Sequence, residues 1–292
     1  MLKLNLTLRN AMFLALAVFI FTSCTQDGLE SEIVPELPEI STEVKTQFTN
    51  LGFDVSDIEL TKSGNHFDGF SDVYDAYLLE GDIVITFDQL AAMTATLNTV
   101  DGLLELPNGE QYRTSNLVTG LPRTISVIGY TGSGFALTSR MRTGLQWAIN
   151  NYNRENLRLS FTLSFQASTN ADIVVYNNGA SGGGGSAGFP SGGNPYKWVQ
   201  INAGTNSFST NVNEHVIGHE IGHCLGLRHT DYFDRSISCG SGGNEGSAGV
   251  GAIHIPGTPT NADLNSLMLA CFNSGVDGEF SNFDVVALEF LY

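Results

Sequence analysis

The chain is short of positive charge. Only 13 Lys and Arg stand against 30 Asp and Glu, a formal charge of −17 over 292 residues. Such a surface repels a phosphate backbone, which excludes nucleic acid as an electrostatic partner. The acidity itself serves solubility. Cysteine is scarce too, four in all and none between Cys24 and Cys224, which excludes a disulfide-dense scaffold. The apolar run at residues 11–21 falls short of the ~20 residues that a spanning helix needs. Glycine is the exception to this thinness: 33 residues, many of them clustered, announce long loops. Histidine numbers only six, yet His215, His219, His223 and His229 crowd into fifteen residues.

That crowding carries chemistry. Residues 219–229 read His-Glu-Ile-Gly-His-Cys-Leu-Gly-Leu-Arg-His, which fits H-E-x-x-H-x-x-G-x-x-H. On a helix, His219 and His223 stand one turn apart on one face and can reach a single ion. Glu220 is kept off the metal but beside its open position, where it can take a proton from water. Gly226 permits the left-handed turn that ends a helix, so the chain can swing back to offer His229 as third ligand. Three imidazoles with one open position describe a catalytic zinc site; a structural site would be closed by four protein ligands. One zinc per chain is therefore expected.

The first 23 residues read as an export signal: Lys3 and Arg9, an apolar stretch, then Phe21-Thr22-Ser23 before Cys24. Small residues before a cysteine resemble a bacterial lipobox, with Phe21 departing from the usual Leu. The resemblance makes Cys24 the acylated first residue and places the protein on the outer membrane or cell surface; plain secretion is the alternative. Residues 24–45, with Pro35 and Pro38, suit a tether. Residues 46–115 form an acidic N-terminal segment with helical stretches near 43–51 and 87–97 and a strand at 82–86. Of the three remaining cysteines, Cys224 lies on the metal helix and is expected to be buried, leaving Cys239 and Cys271 as the disulfide.

From residue 116 the pattern is regular: strand (125–128), helix (139–152), strands (159–165, 172–176, 199–202), metal helix (211–225), and a last helix opened by Ser281-Asn282-Phe283-Asp284, a capping box with Asp in place of Glu. The glycine tract 181–186 reads as a flexible loop. This order resembles an α+β zincin of the metzincin type over residues 116–292, and the wording of the motif is most similar to the dual-action HEIGH metallopeptidases. The resemblance implies a zinc endopeptidase acting on proteins or peptides as a single chain. His219, His223 and His229 would be ligands and Glu220 the general base, with Met268, in Ser266-Leu267-Met268, the Met-turn residue beneath the zinc. Leu269 and Ala270 follow that Met, so the extra Tyr ligand of some metzincins is absent. The rival readings are a non-catalytic zinc-bearing adhesin, which would have no use for Glu220, and a zinc hydrolase of another substrate class.

Other residues have lesser readings. His215 is expected to be a hydrogen-bonded core histidine and His66 a surface one. His254 falls in the loop that the resemblance assigns to the pocket after the scissile bond, and is read chiefly as a surface residue. The spacing of Gly218, Gly222 and Gly226 invites close approach by the Met-turn. Phe189, in Ala187-Gly188-Phe189-Pro190, is either core or part of the edge along which substrate would lie. Asn, Asp and Gly near 240–265 and at 277–279 offer oxygens to calcium but match no loop of defined spacing. The N-terminal segment is either a permanent accessory domain or a pro-segment. In the second case, with no thiol to offer, a carboxylate would fill the open zinc position, Asp68, Asp72, Asp75 and Glu80 being among the candidates and Gln111-Tyr112-Arg113-Thr114 the exposed cleavage point.

Overall fold

A computed structural model describes residues 38–64, 74–97, 111–246, 251–259 and 261–292. The export signal, Cys24, His66, Asp68 and Asp72 lie outside the described residues. From residue 38 onward the chain is one compact unit. Its elements run α1 (Thr42–Leu51), β1 (Glu59–Thr61), β2 (Ala76–Leu79), β3 (Ile83–Thr86), α2 (Phe87–Leu97), β4 (Tyr112–Arg113), β5 (Arg123–Tyr130) and α3 (Ser139–Arg154). They continue with β6 (Leu159–Gln166), β7 (Ile173–Asn177), β8 (Gly185–Ser186), β9 (Trp198–Ile201), α4 (Thr210–Leu225), β10 (Leu227–Arg228), α5 (Ser236–Cys239), β11 (Ile253–His254) and α6 (Asn282–Leu291). The architecture is mixed α and β.

A five-stranded sheet in the order β6-β5-β7-β9-β8 forms the back of the molecule, parallel except for β8 at one edge. Strands β7 and β9 are apolar along their length and buried, as inner strands of a covered parallel sheet must be. Strand β6 sits at the far edge; Leu159 and Phe161 point inward while Ser160 and Thr162 face water. The helices α3 and α4 pack on the sheet and on each other. Thr138 caps α3 by accepting from Met141 N, and Met141, Leu145, Ala148, Ile149 and Tyr152 form its buried stripe. Ser281 and Asp284 close the expected capping box on α6.

The N-terminal segment builds a second core. Strands β1-β2-β3 form an antiparallel meander whose Tyr77, Leu79, Ile83 and Ile85 pack with Phe48, Leu51 and Phe53. Phe189, from beyond β8, completes that cluster. Phe189 is therefore core, and the core it joins belongs to the N-terminal segment. Helix α1 starts at Thr42, capped by Ser41, so ordered structure begins inside the stretch read as tether.

The boundary at residues 115–116 needs a larger correction. Strand β4 is the middle of a three-stranded sheet, paired with β10 on one side and β11 on the other. Gln111, Tyr112 and Thr114 are buried. A buried central strand offers a protease no exposed backbone, so residues 111–114 are not a cleavage point. Polarity alone misled the sequence reading. The glycine tract is corrected only at its end: residues 181–184 form no regular element, while Gly185 and Ser186 pair with Ile201 and Gln200 as the edge strand β8.

Candidate metal centre

Helix α4 is buried on every side from Val212 to Leu225, and its glycines explain how. A side chain at Gly222 would put its Cβ 2.5 Å from Met268 Sδ, and one at Gly218 would lie 3.2 Å from Leu267 Cδ2. The turn carrying Met268 thus lies directly against the helix backbone, as the stripe of small residues invites. The helix ends at Gly226, whose φ of 101° lets its N–H return to Gly222 O and His223 O. Beyond the short β10, the chain brings His229 round to the helical pair.

The three imidazoles converge. Their Nε2 atoms lie 3.0 Å (His219 to His223), 3.2 Å (His223 to His229) and 3.3 Å (His219 to His229) apart. His219 Nδ1 donates to Leu267 O at 2.8 Å and His223 Nδ1 to Leu227 O at 2.9 Å. A carbonyl can only accept, so the proton sits on Nδ1 in both rings and the Nε2 lone pairs face each other. Burial, followed by the charges of His219 and His229, holds His223 well below the usual imidazole range, and so neutral. Facing lone pairs at this spacing want a cation. Tetrahedral zinc at ~2.0–2.1 Å from nitrogen sets ligand atoms roughly 3.3 Å apart, so this donor set fits zinc.

Two residues that sequence reasoning missed complete the centre. Asp82 Oδ2 lies 3.0 Å from His229 Nε2 and 3.6 Å from His219 Nε2, and Asp82 joins the three histidines as one group able to hold a metal. Burial opposes the charge on Asp82, yet the charge of His229 holds its carboxyl well below the usual range. Its position comes from the β2–β3 turn. Glu80 takes a left-handed φ of 58° and Gly81 one of 90°, an unusual conformation for a residue with a side chain. Among the sequence candidates, Asp75 instead accepts from Ser63 N and Oγ. Glu80 is buried beside Glu245 and Arg228, its carboxylate within 4.8 Å of a His229 ring nitrogen, and burial and then the Glu245 charge push that carboxyl well up. The second missed residue is Glu245. Its Oε1 takes His229 Nδ1 at 2.6 Å, while Arg228 and Arg235 each approach within 3.3 Å. His229 thus has a carboxylate at each ring nitrogen.

Glu220 is buried, with Oε2 unpartnered, and burial followed by the Asp82 charge raises its carboxyl well above the usual range. It faces a cavity of about 270 Å³ bordered by Asp82, Gly185, His219 and Phe272. The edge above it is occupied: Val84 N donates to Ala187 O at 2.8 Å and Ala187 N to Asp82 O at 2.9 Å.

The match to the family model of the dual-action HEIGH metallopeptidases spans residues 77–292. The chain belongs to this family. The metallopeptidase is thus a hydrolase of the zinc class, and its family match begins inside the N-terminal segment, taking in Asp82. No curated protein matches it. Among solved structures the metallopeptidase is similar to one described as "Structure of myroilysin", with 16% identity and a TM-score of 0.42, covering 62% of this chain and 98% of that one. A second, "Crystal structure of myroilysin", has 16% identity and a TM-score of 0.39, covering 60% and 86%.

The remaining sequence candidates are placed as follows. Cys239 and Cys271 are joined by a disulfide, with Cα atoms 5.1 Å apart, and Cys224 is a buried free thiol. His254 bonds to Thr258 and turns its ring toward Tyr112, in β11. It borders neither the 270 Å³ cavity nor the larger one beyond it. His215 departs from the expectation of a satisfied core histidine: it is buried, but its Nε2 has no partner.

Proposed function

We propose that the protein is an exported zinc endopeptidase, held latent by its own N-terminal segment through Asp82. The observation that carries the reading is the convergence of His219, His223 and His229 Nε2 within 3.3 Å, with Asp82 Oδ2 at the remaining side. His219, His223 and His229 would hold one zinc ion, which supplies the Lewis acidity that polarises a peptide carbonyl and acidifies water. Glu220 takes the proton of the attacking water and returns it to the leaving amine. Met268, packed under Gly222, is the Met-turn residue that fixes the floor of the site. Ala187, at the end of the edge strand, offers N–H and C=O groups to an extended peptide.

In the latent chain those same groups bond to Asp82 O and Val84 N, and the Asp82 side chain stands where the reacting water must be. A carboxylate is a competent zinc ligand. Since residues 111–114 are built into the fold, the activating cut falls ahead of Gln111, and a chain starting near Gln111 is the mature enzyme. Export rests on the residues ahead of Cys24, and acylation of Cys24 would anchor the chain to a membrane. Cys24→Ser should then release it into the soluble fraction without touching the metal site; equal fatty-acid labelling of mutant and wild type would refute the anchor.

The test of the assignment is a pair of measurements on purified protein. About one zinc per chain is expected, lost on His219→Ala, His223→Ala or His229→Ala. In the Asp82→Ala background, where the cleft is free, Glu220→Gln should keep the zinc and lose peptide hydrolysis by on the order of 10²-fold or more. Undiminished hydrolysis by Glu220→Gln would end it.

A further inference from the structure

Beyond His219 lies a cavity of about 540 Å³ that no step above uses. It adjoins the cleft over His219 and Glu220: Cys271 and Phe272 line both. Its inner wall is His215, one helical turn before His219. The two imidazoles are stacked with centroids 6.5 Å apart, and the other side of His215 meets Phe272 at 4.8 Å. His215 is only 4% exposed, and its Nε2 is a buried polar atom without a partner. Leaving such an atom unpaired costs about 1–3 kcal/mol, a loss that a hydrogen-bonding ligand would recover, acting as donor when the ring proton sits on Nδ1.

The rest of the lining shows what kind of donor. Asp277 and Glu279 stand on the cavity, and among the described residues no Lys or Arg lines it. Glu279 is paired with Arg154 at 2.7 Å, while Asp277 uses one oxygen to accept Glu279 N. Leu269, Phe272 and Phe280 supply apolar wall. A long stem ending in a cationic donor matches such a lining: methylenes against the rings, the charged end toward His215 Nε2 and Asp277.

We infer that this cavity is the enzyme's specificity subsite and that it selects substrates with an arginine or lysine side chain flanking the scissile bond, His215 and Asp277 being the residues that read the charge. The inference rests on the peptidase reading above, and its test separates the two. The full chain carrying Asp82→Ala, to free the cleft, is incubated with a proteome-derived peptide library, and cleavage sites are mapped by mass spectrometry. In parallel, calorimetry measures binding to the Asp82→Ala/Glu220→Gln chain of peptides that differ only in arginine or norleucine at one position. Cut sites enriched in arginine and lysine at one flanking position are expected, with arginine peptides binding about tenfold tighter, the worth of one charge-assisted hydrogen bond. Asp277→Asn/Glu279→Gln, both on exposed positions, should remove that preference, and His215→Leu should weaken it. Cleavage without basic enrichment would overturn the subsite and leave the peptidase intact. Absent cleavage, with arginine binding lost in Asp277→Asn/Glu279→Gln, would uphold the subsite and sink the peptidase. Equal binding of both peptides would overturn it whatever the cleavage.

Discussion

His229 shows how much of a metal site is tertiary. Its Nε2 faces the other two histidines, but its orientation is set by Glu245 Oε1 at Nδ1. A carboxylate behind a ligand fixes the ring and raises its basicity, and removing such a partner typically costs 10–100-fold in metal affinity. Glu245→Gln is therefore expected to weaken zinc binding by about 10–100-fold, measured by chelator competition. It should also lower the melting temperature, because the buried Arg228 would lose its carboxylate. Unchanged zinc affinity would show that Glu245 serves only to neutralise Arg228. The three histidines themselves were legible in the sequence, since helical spacing and one glycine bring them together within eleven residues. Asp82 and Glu245 were not: each reaches the site only through the fold, and a lone acid in an acidic chain carries no local signal. The one local hint to Asp82 was Glu80-Gly81 ahead of a strand, a turn that aims the next residue.

At the scale of the element, the packing of α4 on the Met268 turn was written in the small residues at 218 and 222. Gly222→Ala tests that contact against helix propensity. Alanine would favour an isolated helix by ~1 kcal/mol, yet its methyl must displace Met268 Sδ, 2.5 Å away. Overpacking of this kind costs about 1–3 kcal/mol. Net destabilisation is expected in urea unfolding, together with weaker zinc binding as the floor of the site shifts. A more stable Gly222→Ala would mean that the turn yields freely. Helix α3 was legible from its apolar spacing, α4 from the histidine motif and α6 from its capping box. Strands β4 and β8 were not, having two residues each; β8 sits at the end of a glycine tract, and nothing in Gly185-Ser186 alternates. Their identity comes from the partners they pair with.

For the whole molecule, the acidic excess has one clear thermodynamic consequence. Glu214, on α4 beneath Gly278, has its carboxyl pushed up to about 7 by burial and then by the Glu279 charge, against an ordinary value of 4.5. A raised carboxyl binds its proton more tightly folded than unfolded. Its contribution to stability is therefore full below pH 4.5 and is lost as the pH rises toward 7. Glu214→Gln should flatten the fall in urea midpoint between about pH 5 and pH 8, keeping the bond to Asn151 through the amide oxygen. An identical pH profile for both proteins would place Glu214 in water.

The approach of Asp82 to His219 and His229 bears most directly on the central claim. Peptide hydrolysis by uncut, zinc-loaded full-length chain should be compared with that of the same chain carrying Asp82→Ala, zinc content and intactness being checked in both. The account predicts a nearly silent wild type and an Asp82→Ala chain that cleaves peptides without proteolytic trimming, abolished again by Glu220→Gln. An intact wild-type chain as active as Asp82→Ala would contradict it.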